Sequence, residues 1–356
     1  MGEDRDELAR RYRRLLWAYP HDYRRARGAE MLDTLLCAAS PGRRRPTVRE
    51  RVNLLHHGMR CRLGRPRSHG VVVVAALVAI LGGYLGAAGA AWTSWHGARS
   101  LPDNTAAAAI ARTVLPTAPA TDLKRHDDLF FYEGRTDART PLVGDDDYQP
   151  GRVTFCLESP VGFQTEIPQI ERQLRDAGWR VADPRFNEPG TWAGASVYAY
   201  RDGLVLSIAL TDAAQVVPKA SDTATIVELN VVRDDPWWVW PAAVVGALLG
   251  ALAGWLLAGW VSRRTDGRNA ILQAGVGLMT VGVFLGMAPA FLLTVRVLSY
   301  SFTDPTPGPD SMLLWFGLVW LTRAPAVLGI AAGLLAIGLA AIPRRVPRPA
   351  AGPVSP

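Results

Sequence analysis

The sequence predicts a membrane α-helical bundle of four transmembrane helices, with an extracytoplasmic α+β domain and a cytoplasmic N-terminal module of three helices. Three observations predict this class: four long apolar runs, arginines beside alternate ends of those runs, and a strand-rich segment between the first run and the second. The 356 residues are enough for two or three units. Nearly all of the positive charge is arginine, and together with the richness in Ala, Gly and Pro this indicates a GC-rich genome rather than a selected chemistry. The formal net charge of +7 therefore does not by itself indicate nucleic-acid binding.

The four apolar runs are each long enough to cross a bilayer. They cover residues 71–92, 237–261, 270–298 and 312–342. A hydrocarbon core of about 30 Å needs roughly 20 apolar helical residues. A soluble protein with these runs would need four unusually long helices that are apolar on every side. We therefore expect four transmembrane helices, TM1 to TM4, with the lipid bilayer as a partner.

The arginines indicate the orientation of these helices, because cytoplasmic flanks of transmembrane helices carry an excess of Lys and Arg. Arginines precede the first run and follow the second and the fourth: Arg60, Arg62, Arg65 and Arg67; Arg263, Arg264 and Arg268; Arg344, Arg345 and Arg348. We expect a multi-pass protein of the cell membrane with both termini cytoplasmic. Residues 1–66 and the tail 343–356 are then inside, and residues 93–236 are outside.

Tryptophans and two arginines near the run ends are expected to anchor the helices at the membrane surface. Trp237, Trp238 and Trp240 open the second run, and indoles prefer the headgroup level. Arg296 lies two residues before the end of the third run, and Arg323 lies near the outer end of the fourth if its core begins around residue 324. We interpret both as anchors whose charged heads reach outward. A buried functional charge is the alternative.

Glycines four residues apart predict how the helices pack, since such residues share a helix face and small side chains let backbones approach. The predicted packing residues are Gly82 and Gly86 in TM1, Gly246, Gly250 and Gly254 in TM2, Gly282 and Gly286 in TM3, and Gly329 and Gly333 in TM4. No Asp or Glu occurs inside any run, which disfavours an ion-coupled transporter.

The first 66 residues predict a small folded module of three amphipathic helices. Apolar residues recur at helical spacing, and Leu15, Leu16, Tyr19, Met31 and Leu35 are the predicted core. The third helix opens with a capping-box pattern, TVRE. Most arginines then fall on outer faces. Binding to nucleic acid or to anionic lipid through these arginines is an alternative use, and no nucleic-acid motif supports the former.

The stretch RYRRLLWAYPHDYRRARGAEML resembles the N-terminal prefix of many bacterial membrane proteins: Leu-Leu-x-x-Tyr-Pro, then aromatic-Arg, then Gly-x-Glu-Met. The matching residues are Leu15, Leu16, Tyr19, Pro20, Tyr23, Arg24, Gly28, Glu30 and Met31. Such prefixes occur on ABC-type permeases of the macrolide-exporter class, and related segments occur on membrane proteins associated with PadR-type regulators. The resemblance implies a cytoplasmic module that binds a protein partner through residues 1–66. It brings no catalytic residue.

Residues 93–236 predict an extracytoplasmic α+β domain whose folded part covers about 129–235, after a linker rich in Ala, Thr and Pro. Alternating strands surround one amphipathic helix, and Asp202-Gly203 predicts a hairpin turn. The acidic cluster Asp145 to Asp147 and His126 are read as loop residues rather than metal ligands. Cys156 is the one cysteine of the segment, so no disulfide is expected within it. We expect no catalytic, cofactor-binding or metal site.

Two classes of function remain, and an enzyme is not expected. One is a regulatory or signalling membrane protein that couples the outside domain to a cytoplasmic partner. The other is a permease-like subunit of a transport complex, since one span, a large outside domain and three further spans is the layout of macrolide-exporter permeases. The loop SRRTDGR between the second and third runs is short for holding an ATPase. The sequence predicts no particular oligomeric state.

Overall fold

A computed structural model describes residues 2–40, 42–63, 69–116, 121–132, 148–187, 193–212, 224–303, 310–319 and 323–343. The chain divides into two compact units. One comprises Met1–Gly83, Leu249–Met287 and Val327–Pro356, and the other comprises Tyr84–Leu248 and Ala288–Ala326.

The N-terminal module contains α1 (Gly2–Leu15), α2 (His21–Cys37) and α3 (Val48–Arg62), with a short 3-10 turn over Leu16–Ala18. Its buried core consists of Leu8, Tyr12, Leu16, Tyr19 and Leu54. The predicted core is therefore partly wrong, because Leu15, Met31 and Leu35 are only half-buried against this cluster. The reason is that α2 has no buried residue, and its apolar side chains are only partly covered where they pack against the cluster. The capping box of α3 is formed by Thr47 and Glu50.

After the module, α4 (His69–Ser94) contains the first apolar run and leads into the α+β domain. That domain contains α5 (Asn104–Val114), β1 (Thr121–Arg125), β2 (Phe130–Tyr132), β3 (Tyr148–Pro150), β4 (Arg152–Ser159) and α6 (Phe163–Asp176), followed by β5 (Arg180–Val181), β6 (Arg185–Phe186), β7 (Gly194–Arg201), β8 (Leu204–Asp212) and β9 (Thr225–Arg233). The large sheet is antiparallel in the order β1-β4-β9-β8-β7-β5, with β6 also paired to β7. A second, small sheet pairs β2 with β3.

The core of the domain lies between the large sheet and two helices. The helix α6 contributes Ile167, Ile170 and Leu174, which are all buried. The helix α5 contributes Ala107, Ala111 and Val114 in the same cluster, which also includes Leu101. The predicted start of the folded part near residue 129 is therefore wrong, because the folded part begins near Leu101. Small alanines at helical spacing form a real packing face, which their Ala-rich surroundings conceal in the sequence.

The β7–β8 hairpin turns at Asp202 and Gly203, whose φ angles are 52° and 75°. Positive φ at both central residues is the requirement of the tight turn that joins two-residue hairpins, and Asp-Gly satisfies it.

The remaining helices are α7 (Val239–Thr265), α8 (Ala270–Thr303), α9 (Leu313–Val319) and α10 (Arg323–Ala341). Among the described residues, four helices are long and apolar enough to cross a membrane: those over His69–Gly97, Val239–Thr265, Ala270–Thr303 and Arg323–Ala341. The predicted TM4 over 312–342 contains α9 and α10, and residues 320–322 between them lie outside the described ranges.

Replacing Leu16 by alanine should largely unfold the module. The side chain of Leu16 is 5% exposed in a small core, and removing a large core side chain costs about 2–5 kcal/mol. A domain of about 60 residues has little stability to spare. Circular dichroism of a fragment covering residues 1–63 measures the loss of helix. The matched control is Arg14→Ala on an exposed position, which should keep the helical signal. A wild-type fragment without a cooperative melt would contradict a self-contained module.

Candidate functional site

The helices α4 and α7 cross with their backbones in contact. A Cβ atom added to Gly82 would lie 2.5 Å from the carbonyl oxygen of Gly250. A Cβ atom on Gly254 would lie 2.6 Å from the carbonyl oxygen of Val78. Real Cβ atoms do not approach backbone oxygens this closely, so the contact exists only because glycine has no side chain.

The same two helices touch again further along. A Cβ atom on Gly246 would overlap the carbonyl of Gly86 and would lie 2.5 Å from the Cβ atom of Ala90. The five glycines that the spacing predicts for TM1 and TM2 therefore lie on the facing sides of α4 and α7.

The helices α8 and α10 form a second, looser pair. A Cβ atom on Gly329 would lie 3.1 Å from the backbone nitrogen of Met287 and 3.2 Å from the carbonyl carbon of Gly286. One on Gly282 would lie 3.2 Å from the Cβ atom of Ala332. At Gly333 the nearest contact would be an ordinary 3.5 Å to a valine methyl group, so this position does not require glycine.

A buried polar pair connects α4 with α8. The hydroxyls of Tyr84 and Thr294 lie 3.1 Å apart, and the ring of Tyr84 meets that of Phe291 edge-on at 5.6 Å. On its other side Thr294 is covered by α9, since a Cβ atom on Gly317 would lie 2.7 Å from the Thr294 hydroxyl. Buried hydroxyls that satisfy each other fix the rotation of the helices that carry them.

A junction of three side chains, Trp95, Ser311 and Asp235, joins segments that are distant in sequence. The indole Nε1 of Trp95 donates to the Ser311 hydroxyl at 2.9 Å, and that hydroxyl donates to Oδ1 of Asp235 at 2.6 Å. The backbone N–H of Ser311 donates to the other carboxylate oxygen at 2.9 Å. Trp95 and Ser311 are both 0% exposed. The junction links the residue after α4, the residues before α7 and the turn before α9.

Aromatic rings of the small β2–β3 sheet pack on this junction. Phe130 meets Trp95 edge-on at 4.9 Å and Trp315 at 5.2 Å, and it stacks on Tyr148 at 5.7 Å. Such pairs add about 0.5–1.5 kcal/mol each beyond their buried area. The small sheet thus forms the contact between the α+β domain and the helix ends of the same compact unit.

Arg233, the last residue of β9, connects three backbone carbonyls of other segments of the domain. Its guanidinium donates to the carbonyl of Arg99 at 3.1 Å and to those of Asp128 at 3.0 Å and Asp127 at 2.9 Å. Burial lowers the pKa of Arg233, against the opposing effect of the Asp127 carboxylate. The next residue, Asp234, has a raised pKa because it too is buried.

The structure places the predicted anchors as follows. Trp237 is 80% exposed, whereas Trp238 donates to the carbonyl of Ser94 at 3.2 Å and so also fastens α7 to α4. Trp240 is half-exposed. The guanidinium of Arg296 lies 5.7 Å from the ring of Tyr300. The helix α8 continues beyond the third apolar run to Thr303. Arg323 is the first residue of α10.

The module contacts the end of α7 through the last turn of α3. The indole Nε1 of Trp255 donates to the carbonyl of Met59 at 3.2 Å. A Cβ atom on Gly259 would lie 2.8 Å from the carbonyl oxygen of Arg62, and Arg263 donates to that same carbonyl. The side chain of Arg62 in turn donates to the carbonyls of the 3-10 turn at Trp17 and Ala18, each at 2.7 Å.

The residues of the prefix pattern divide between core and surface. Leu16 and Tyr19 are buried, Leu15 is half-buried, Pro20 precedes α2, and Gly28 lies within it. Three others line a shallow surface cavity of about 240 Å³ between α2 and α3. The cavity is lined by Tyr23, Arg27, Glu30, Met31, Thr34, Leu35 and Leu54.

A polar network on the module centres on Glu50. Its Oε2 accepts from the Tyr12 hydroxyl at 2.8 Å, from the Thr47 N–H at 2.9 Å and from Arg43. Burial alone would raise the pKa of Glu50, but these three hydrogen bonds hold it below its ordinary value. Burial and the bond to Glu50 raise the pKa of Tyr12 to about 12. All the polar atoms are mutually satisfied, and the network stabilises the contact between α1 and α3.

Sequence reasoning overlooked the junction residues Ser311 and Asp235, since neither belongs to a motif. Within the described ranges, no group of three or more His, Cys, Asp or Glu side chains could hold a metal ion. His126 stacks on Phe131 with the ring centroids 3.9 Å apart. The acidic cluster at 145–147 lies outside the described residues. Comparisons of the chain with protein-family models, with curated proteins and with solved structures found no match.

Replacing Gly82 by alanine should destabilise the protein, because the added methyl group meets the backbone of α7. Overpacking of this kind typically costs about 1–3 kcal/mol. The matched control is Gly89→Ala on the same helix, where an added Cβ atom would meet nothing within 4 Å. Thermal unfolding in detergent should show a clear loss for Gly82→Ala and little change for Gly89→Ala. Equal melting temperatures for the two variants would contradict the crossing.

Proposed function

We propose that this chain is a multi-pass protein of the cell membrane that transmits the state of an extracytoplasmic α+β domain to a cytoplasmic partner. Both termini are cytoplasmic in this proposal, and the module of residues 1–63 is the partner-binding end. The observation that carries it is the path of two helices. The helix α4 leaves the module and ends at the domain, while α7 leaves the domain and ends against the module.

The surface of the apolar helices supports insertion in a membrane. Only 22–28% of the residues in their most apolar stretches are buried. Large aliphatic side chains instead point outward, among them Leu249 at 62%, Leu285 at 71% and Leu328 at 70% exposure. Such a surface is unfavourable in water, and it is ordinary where lipid is the solvent.

The polar connections at both ends of α7 support transmission rather than simple anchoring. At the domain end, the carboxylate of Asp235 accepts a hydrogen bond from the Ser311 hydroxyl, which itself accepts one from the indole of Trp95. At the module end, Trp255 and Arg263 hold the backbone of α3. Directed hydrogen bonds at each end of α7 give a change in the domain a way to reach the module, in addition to the apolar packing of the helix.

The module offers a place for the partner. The cavity of about 240 Å³ that contains Tyr23, Glu30 and Met31 combines apolar walls with one acidic and one basic side chain. A helix or an extended segment with an apolar anchor fits such a site. This use also agrees with the resemblance of the prefix to interaction modules of other membrane proteins.

A permease-like subunit of a transport complex is the alternative proposal. The layout of one span, an outside domain and further spans favours it. The connection between α7 and α8 consists only of residues 266–269, which is a small surface for an ATPase. Regulation is therefore the proposal that we prefer.

Two exposed cysteines of the chain test the orientation. Cys156 is exposed on the α+β domain and Cys37 is exposed on the module. A membrane-impermeant maleimide applied to intact cells should modify Cys156, and Cys37 should react only after permeabilisation. A Cys156→Ser variant is the control that assigns the signal. Labelling of Cys37 in intact cells would sink the proposed orientation.

The variant Ser311→Ala tests the transmission. It removes the hydroxyl that accepts from the buried indole of Trp95 and donates to the half-buried carboxylate of Asp235, at a cost of about 1–3 kcal/mol. Hydrogen exchange of the full chain in lipid nanodiscs should change in residues 1–63 as well as around the junction. The matched control is Ser299→Ala, which removes only an exposed bond to the carbonyl of Arg296. Exchange that changes near residue 311 and nowhere in the module would refute transmission.

A further inference from the structure

The helix α3 has two separate apolar faces, although packing in the module requires only one. Its inner face carries Leu54 and Gly58, which are buried against the rest of the module. A second row, the outer stripe, consists of Val48, Val52, Leu55 and Met59. These four residues fall within about 60° of one another around the helix axis. Val48 is 66%, Val52 58% and Leu55 45% exposed.

The last residue of the outer stripe contacts an apolar helix of the same compact unit. Its last member, Met59, accepts a hydrogen bond from Trp255 of α7. One turn later the backbone of Arg62 meets Gly259 and Arg263. The end of α3 therefore lies at the level of the last turns of α7.

Those last turns carry the marks of a membrane surface. Trp255 and Trp260 are followed by Arg263 and Arg264, and the guanidinium of Arg264 lies 5.7 Å from the ring of Trp260. Indoles and snorkelling arginines at a helix end mark the headgroup region of a bilayer. The end of the outer stripe at Met59 thus lies at the level of the headgroup region, provided that the apolar helices span.

The charge of the module fits an anionic lipid surface. Residues 1–63 contain fifteen arginines against eight carboxylates, so their net charge equals the +7 of the whole chain. Arg49 and Arg51 belong to α3 itself and lie on either side of the stripe. Arginines near an anionic leaflet are attracted to its negative surface potential. An amphipathic helix with a basic polar face and an apolar stripe is the usual form of an interfacial helix.

We infer that α3 is an interfacial helix whose outer stripe inserts into the anionic leaflet beside α7. This inference rests on the spanning helices of the proposed function. It adds that the module is bound to the membrane surface by its own third helix. A protein partner that covers the stripe is the competing occupant, but the contact of Met59 with the membrane helix favours lipid.

Spin labels on the full chain test this inference. Cys37, Cys61 and Cys156 are replaced by alanine, and single cysteines are then introduced along residues 48–57 and at Leu249. The chain is reconstituted into vesicles of phosphatidylcholine with phosphatidylglycerol. Collision rates of each nitroxide with oxygen and with a water-soluble nickel chelate report whether the label lies in lipid or in water.

We expect the oxygen-to-nickel ratio to rise and fall with the helical period, with maxima at Val48, Val52 and Leu55. The ratio at Val52 should exceed several-fold the ratio at Asn53, which is exposed about 100° further around α3. Leu249 is the reference for lipid. A water-exposed label at Val52 with Leu249 in lipid would overturn the interfacial helix and leave the stripe for a protein partner. A water-exposed label at Leu249 would overturn the spanning helices and the inference together.

Discussion

The contact between the backbones of α4 and α7 is the constraint on which the other features depend. Gly82 on one helix and Gly250 on the other leave no room for a side chain, and Gly246 meets Gly86 in the same way. Helices that touch at the backbone have a fixed crossing and a fixed rotation, because any slip brings a side chain into the contact. Each of these contacts lies inside one compact unit, Gly82 with Gly250 in the first and Gly246 with Gly86 in the second.

Polar groups at the ends of these helices add specificity to the apolar packing. Ser311 satisfies both an indole N–H and a carboxylate, and Arg233 satisfies three backbone carbonyls of the domain. Each group is buried, so loss of one partner leaves another unsatisfied, which costs more than the bond contributes in net terms. Such sites resist partial rearrangement and favour a few discrete arrangements. This property is what a regulatory protein needs, and it supports the proposed transmission.

Patterns of local spacing predicted a large part of this architecture, and long-range contacts explain what they missed. The four apolar runs, the glycines of α4 and α7 and the Asp202-Gly203 turn each follow from a few neighbouring residues. The packing of α5 was missed because Ala107 and Ala111 form a face only when the sheet is present to receive it. Ser311 and Asp235 are 76 residues apart, so no local pattern could connect them.

Solid-state NMR on the chain in bilayers measures the α4–α7 crossing most directly. Glycine labelled with ¹³C at both Cα and the carbonyl, in chain diluted with unlabelled chain, makes close glycine pairs within one molecule visible. The crossing of α4 and α7 predicts cross-peaks between Gly82 and Gly250 and between Gly86 and Gly246. Their absence from a spectrum in which both helices are assigned and ordered would contradict the crossing and the architecture built on it.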